Sequence, residues 1–173
     1  SPYSATMFAS AAEDRTVKVW DTRQQKAAVT FVGHQHEVLS VDWNRYDPNL
    51  LASGSSDRSI RLWDIRRPQG EVKGFQAHRY AVRRVKFSPT ERLLLLSCSY
   101  DLTVGVWDLS GGGVRNAGTG GELRERCGHH TELVTGIDFS LFPGQMVASC
   151  SWDRSVALWQ LGFPPPARMV KVR

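Results

Sequence analysis

The stretch SCSYDLTVGVWD, Ser97 to Asp108, sets a serine four residues before an aspartate, and His78 lies 23 residues upstream of that aspartate. Serine, histidine and aspartate are the parts of an acyl-transfer triad, in which the imidazole takes the hydroxyl proton and the carboxylate orients the imidazole. Such an enzyme needs one set, with its serine raised on a strained strand-to-helix turn. This chain carries copies instead. The segments SAAEDRTVKVWD (Ser10 to Asp21), SGSSDRSIRLWD (Ser53 to Asp64) and SCSWDRSVALWQ (Ser149 to Gln160) align with the first residue for residue.

The tryptophans Trp20, Trp63, Trp107 and Trp159 are spaced by 43, 44 and 52 residues, and Asp14, Asp57, Asp101 and Asp153 keep the same spacings. A period in the low forties is the mark of a repeat architecture. Counting back 23 residues from the aspartates gives His34, His78 and His130. In the fourth unit His130 keeps the register, and His129 takes the place of Gly33 and Ala77. Units 33–64, 77–108 and 129–160 have equal length, and a partial unit covers 1–21. Four equivalent sets, with each serine inside a strand and no nucleophile elbow, point to a structural use and no catalytic residue. A buried indole N–H and an imidazole both need partners inside a sheet.

Each unit alternates runs rich in β-branched and aromatic residues (EVLSVDW, LLASGS, SIRLW) with turn residues (YDPN, SDR), the pattern of consecutive antiparallel strands. A fourth strand fits between units at AAVTFVG, VKGFQA and ELRERC. Sheets that are apolar on both faces must stack, and radial stacking into a ring leaves no large open edge. The fold predicted is all-β, a β-propeller.

Other chemistry-bearing residues have plainer readings. Cys127, His129 and His130, with His34 and His36, have metal-ligand side chains, but no CxxC or HxxxH accompanies them and the repeat already employs two, so no metal is predicted. The glycine-rich segment Leu109 to Gly121 lacks the Lys-Ser/Thr of a phosphate loop and is predicted as a long surface loop. In AVRRVKF, Lys86 aligns with Asp42 and Asp138 on the innermost strands. The alternation predicts an ion-paired ring around the channel, with an anion site as the alternative.

Of the 173 residues, 41% are apolar and 23% charged, an ordinary globular composition. No apolar run approaches the ~20 residues of a membrane-spanning helix, and no signal peptide precedes the first repeat, so a cytosolic or nuclear protein is predicted. Three cysteines argue against a disulfide framework. The net charge of +5 is spread through every repeat, which disfavours nucleic acid as a partner. The chain starts at Ser1 and the first unit has only its second half, which reads as part of a longer protein.

A GH or AH dipeptide, then S-x-x-x-D, then WD, in four registers, resembles the WD-repeat propellers. In that family histidine, serine, aspartate and tryptophan form a hydrogen-bonded tetrad. The resemblance assigns His34, Ser53, Asp57, Trp63; His78, Ser97, Asp101, Trp107; His130, Ser149, Asp153, Trp159; and, without a histidine, Ser10, Asp14, Trp20. The words HRYAVRRVKFSP, LLSCSYDLTVGVWDL, HHTELVTGIDFSL and VLSVDWNRYDPNLLASGSSDRSIRLWDIRRP further resemble the carboxy-terminal half of the peroxin-7 family, from about Ser1 to about Leu161. The resemblance implies about three and a half blades of a seven-bladed ring over 1–161, followed by a proline-rich tail at 162–173. It also implies a non-enzymatic receptor without cofactor or membrane insertion. Such a receptor captures cargo with an amino-terminal type 2 peroxisomal targeting signal, a helix of basic, leucine and glutamine or histidine residues. It works with a co-receptor and shuttles from cytosol to peroxisome. A generic WD-repeat scaffold, such as a ubiquitin-ligase or chromatin adaptor, is the alternative, since it would share the tetrads without those words.

Propeller geometry places the residues before each tetrad aspartate and just after each tetrad histidine on one rim. These are Glu13, Ser56, Tyr100 and Trp152, with His36, Glu37, Tyr80 and Glu132. Acids and aromatics suit a helix with basic and leucine residues on one face; the plainer reading is a solvated rim.

Overall fold

The computed structural model describes residues 1–110, 122–142, 144–162 and 168–171, so most of the predicted glycine-rich loop lies outside the described residues. Among the described residues fifteen strands form four antiparallel sheets, each a meander in chain order. The first holds β1 (Met7–Ala11), β2 (Thr16–Asp21) and β3 (Ala27–Val32). The second holds β4 (Val38–Trp43), β5 (Leu50–Ser55), β6 (Ser59–Asp64) and β7 (Lys73–Gln76). The third holds β8 (Val82–Phe87), β9 (Leu94–Ser99), β10 (Val104–Asp108) and β11 (Glu122–Cys127). The fourth holds β12 (Val134–Phe139), β13 (Met146–Ser151), β14 (Ser155–Gln160) and β15 (Arg168–Lys171). The fourth strands fall where the sequence places them, in the segments between units. The segment set apart in sequence as a tail supplies β15, paired to β14 from Ser155↔Lys171 to Leu158↔Arg168.

Sheets pack face to face, and each interface has its own core. Val17, Val19, Phe31, Leu51 and Trp63 fill the first; Leu62, Val82, Val85, Phe87 and Trp107 the second; Leu96, Val106, Val134, Ile137 and Trp159 the third. The middle strands β5 and β9 are buried at every residue because a sheet covers each face, whereas β13 alternates. Close approach needs small residues there. A Cβ on Gly54 would stand 2.7 Å from Val82 Cγ1 of the next sheet.

Two further ties cross the second interface along the innermost strands. Val85 N–H donates to Ser40 Oγ at 2.9 Å, and Phe87 N–H to Asp42 Oδ2 at 2.8 Å. On the rim opposite the tetrad turns, Tyr46 donates to the Pro89 carbonyl at 2.8 Å and Asn44 to that of Arg92 at 2.8 Å.

Gly54→Val tests the sheet spacing. Overpacking against the stiff, fully buried Val82 should cost about 1 to 3 kcal/mol in denaturant melts. Unchanged stability would mean the interface is looser than the structure shows.

Candidate functional site

The repeated serines, histidines, aspartates and tryptophans meet in full in the second and third sheets, at the end that carries the turn between the two middle strands. In the second sheet the Trp63 indole N–H donates to Ser53 Oγ at 2.8 Å, Ser53 Oγ lies 2.7 Å from His34 Nε2, and His34 Nδ1 lies 2.8 Å from Asp57 Oδ2. The third repeats this with Trp107, Ser97, His78 and Asp101 at 2.7, 2.6 and 3.0 Å. A neutral imidazole with its proton on Nδ1 satisfies every atom: indole donates to hydroxyl, hydroxyl to Nε2, Nδ1–H to carboxylate. In the first sheet Trp20 donates to Ser10 at 2.9 Å, and Asp14, exposed, pairs with Lys18 at 2.6 Å.

These are the contacts of a catalytic triad, yet Ser53 and Ser97 are wholly buried and an indole N–H occupies each hydroxyl oxygen. A nucleophile needs that oxygen free and reachable. The aspartates serve the turns as well. Asp57 accepts from the N–H groups of Gln35 and Ser59 at 2.9 Å each. Burial alone would raise its carboxyl, but bonds from His34, the Ser59 hydroxyl and these N–H groups outweigh burial and hold it well below the usual carboxylate range. The next residue of each turn is left-handed: Arg15, Arg58, Leu102 and Arg154, with φ of 67°, 71°, 69° and 65°. Non-glycine residues seldom adopt that conformation without such support.

The fourth unit departs from the pattern. His130 keeps its bonds to Ser149 (2.7 Å) and Asp153 (2.9 Å), but among the described residues neither Trp159 Nε1 nor His129 Nε2 finds a partner. Trp159, aligned in sequence with the other tetrad tryptophans, therefore stands outside the hydrogen-bonded set. The cause is a pair of exchanges. Phe31 packs on Trp63 and Phe75 on Trp107 at 5.2 and 5.1 Å between rings, and Cys127 holds the equivalent place before Trp159. Where Gly33 would bring a Cβ within 3.0 Å of the Trp63 ring, the fourth unit has His129, whose ring meets Trp159 edge-on at 5.2 Å. The histidine fills the space left by a missing phenyl ring and Trp159 sits off Ser149. Burial lowers the basicity of His129 and pushes the Cys127 thiol up to about 12, with the Glu125 carboxylate adding to the latter.

The rim is assembled by a bonding scheme the units share. The hydroxyl two residues before each aspartate donates to the carbonyl two residues after the histidine: Ser55 to His36, Ser99 to Tyr80, Ser151 to Glu132, at 3.2, 3.2 and 2.9 Å. The next N–H reaches one residue further, Ser56 to Glu37, Tyr100 to Ala81 and Trp152 to Leu133, at 3.0 to 3.1 Å. These bonds set the named rim residues side by side where the innermost strands begin. Tyr80 and Trp152 are 64% and 67% exposed, Glu13, His36 and Glu132 are exposed, and Tyr100 and Glu37 are half-buried. Glu37 is held below the usual carboxylate range by its own N–H and the Ser56 hydroxyl.

The sequence argument counted acids and aromatics there and passed over the left-handed turn residues. Arg15, Arg58 and Arg154 are exposed on the same rim, so it is not uniformly acidic. In the third unit alone Leu102 replaces the arginine, leaving Tyr80, Tyr100 and Leu102 as a partly apolar sector, with Arg79 and Arg126 on the other side of the Asp101 turn. The aligned words DRT, DRS, DLT and DRS already carried that signal.

Comparison with known proteins agrees with this architecture. Residues 1–107 match the family model described as EIPR1 beta-propeller, and residues 120–160 match the WD domain, G-beta repeat. The chain belongs to the WD-repeat β-propeller family. Among curated proteins, the peroxisomal targeting signal 2 receptor of Mus musculus is 40% identical over 88% of this chain and 59% of its own length. The receptor of the same name from Komagataella phaffii is 34% identical over 91% and 47%, and the peroxisome biogenesis protein 7 of Arabidopsis thaliana 43% over 52% and 26%. The chain spans about half the length of the curated relatives it matches.

The hydrogen bonds of the second and third sets tie the middle strands, the entering loop and the turn of each sheet together. Asp57→Ala should cost about 1 to 3 kcal/mol, since it strands the buried His34 N–H and two backbone donors. The folded Asp57 pKa lies below its ordinary 3.8, so its contribution is complete above that value and is lost as pH falls toward the folded pKa. Melts from about pH 7 down to pH 3 should show the variant losing less stability on acidification than the wild type; parallel losses would contradict the assignment.

The exchanged pair in the fourth unit makes a separate prediction. Cys127→Phe combined with His129→Gly should restore the Trp159 to Ser149 bond and stabilise by about 1 kcal/mol, while each single change destabilises, a non-additivity read from four melting curves. Additive effects would refute the compensation.

Proposed function

We propose that the protein is a non-enzymatic cargo receptor for peroxisomal matrix import, which binds the amino-terminal type 2 targeting signal as a helix on the tetrad-turn rim. Two lines support this reading. One is similarity to proteins named peroxisomal targeting signal 2 receptor over most of the chain. The other is the partly apolar sector of Tyr80, Tyr100, Leu102 and Trp152, where exposed aromatics stand beside Glu37 and Glu132.

That sector is the single structural observation that carries the proposal. Exposed large aromatics on one side of a channel mouth have no role in stacking the blades. The leucine face of an amphipathic helix packs on the aromatics and Leu102, and its basic residues meet Glu37 and Glu132. Arg15, Arg58 and Arg154 repel the same helix at their own turns, which centres it on the third unit, where leucine replaces the arginine. In this reading the receptor moves between cytosol and peroxisome, and a co-receptor completes delivery. Among the described residues no helix is long and apolar enough to cross a membrane.

Leu102→Arg separates binding from folding, because arginine already occupies the equivalent left-handed position in three units. The variant should keep its melting temperature and bind a synthetic type 2 signal helix at least ~1 kcal/mol more weakly by calorimetry, as should Tyr80→Ala and Trp152→Ala. Unchanged affinity in all three, with the fold intact, would place the groove elsewhere. A general WD-repeat scaffold would show no binding of this helix at all.

A further inference from the structure

The repeat supplies an internal control for what the fold requires, and β8 breaks it. On the innermost strands Arg83 stands where the neighbouring units have Leu39 and Thr135, Arg84 where they have Ser40 and Gly136, and Lys86 where they have Asp42 and Asp138. Two blades pack and bond with small, neutral or acidic residues at these places. Three cations in the third unit are therefore not demanded by blade geometry.

The alternation of charge seen in sequence resolves into a single pair. Lys86 Nζ lies 3.8 Å from Asp42 Oδ1, and Asp42 also accepts the Phe87 N–H, so its carboxylate is shared. Asp138 accepts its own neighbour's N–H, Phe139, at 2.9 Å, and makes no ion pair among the described residues. Among the described residues no ion pair or side-chain hydrogen bond holds Arg83 or Arg84. Both line a polar concavity of about 350 Å³ on the channel face with Leu39, Asp42, Lys86 and Thr135. Arg84 also lines an adjoining hollow with Gly136, where a Cβ would stand 2.6 Å from Cys150 Sγ.

We propose that this channel face is an oxyanion site, taking a carboxylate or phosphate group between the Arg83 and Arg84 guanidinium groups with Lys86 behind them. Guanidinium forks match the two oxygens of such a group, and three cations gathered on one concave surface reinforce one another's field. The site lies on the channel wall, distinct from the rim that takes the helix, and does not rest on the receptor reading. Its charge is opposite to that of the rim's Glu37 and Glu132, so one partner could not satisfy both with one kind of side chain.

The test uses two probes, an acetylated, amidated tetraglutamate and inorganic pyrophosphate, titrated calorimetrically into the protein at low ionic strength. One site per chain should bind at least one probe, weakening with added salt. The probe bound tighter identifies the group as carboxylate or phosphate. Arg83→Ser with Arg84→Ser should lower the affinity at least tenfold, Arg84→Gln should give an intermediate loss, and Arg67→Ser, exposed after β6, should change nothing. Melting curves confirm that each variant is folded. Absence of binding by both probes, or a double variant that binds as well as the wild type, would overturn the proposal.

Discussion

The structure depends on a four-member hydrogen-bond chain that runs from a buried tryptophan through serine and histidine to an aspartate in a turn. A propeller blade has little internal core, since it is one sheet thick and its apolar faces are covered only by neighbours. The chain of bonds ties the middle two strands of a sheet (Ser53 and Trp63) to the loop entering the innermost strand (His34) and to the turn joining the middle two (Asp57). It does so inside an apolar interface, where a bond left unmade costs more than a made one contributes. That asymmetry fixes register and turn together, and in the second and third units it holds Arg58 and Leu102 in left-handed backbone.

Because the bonds are repeated, departures from them are informative. The fourth unit keeps histidine, serine and aspartate in contact but gives up the indole, and it does so through two exchanges that conserve volume around Trp159. Leu102 on the rim and the arginine pair on the channel wall are departures of another kind, since neither compensates a packing defect. Function in a repeat fold resides in such unshared residues. Shared residues serve the scaffold, however reactive their side chains look in isolation.

Much of this was legible in the sequence. Strand positions, the four sheets and the choice of His130 over His129 follow from spacing alone, since the repeat register is a count. The place of the rim residues follows too, because it depends only on neighbours along the chain. Three features were hidden. The loss of the Trp159 bond depends on how Cys127 and His129 share one volume, which is a contact between side chains and not a spacing. The charge of the rim depends on a backbone conformation, φ near +67°, that turns an ordinary Asp-Arg dipeptide outward. The outer strand Arg168–Lys171 lies behind prolines that, in sequence, mark the end of regular structure. The expected ring of alternating charge was half realised, because Asp138 turns to its own backbone and leaves Lys86 to Asp42 alone.

The central claim is that the serine, histidine and aspartate sets are permanently closed structural bonds. Hydrogen exchange of the indole N–H protons, resolved residue by residue in nitrogen-15 spectra, tests it most directly, because each proton reports whether its hydroxyl acceptor is engaged. The account predicts that the Trp63 and Trp107 indole protons exchange only through global unfolding and that the Trp159 proton, which has no acceptor among the described residues, exchanges at least about tenfold faster. Trp63 and Trp107 exchanging as fast as Trp159 would show that the serines are free of their tryptophans, and the structural reading of the sets would fall.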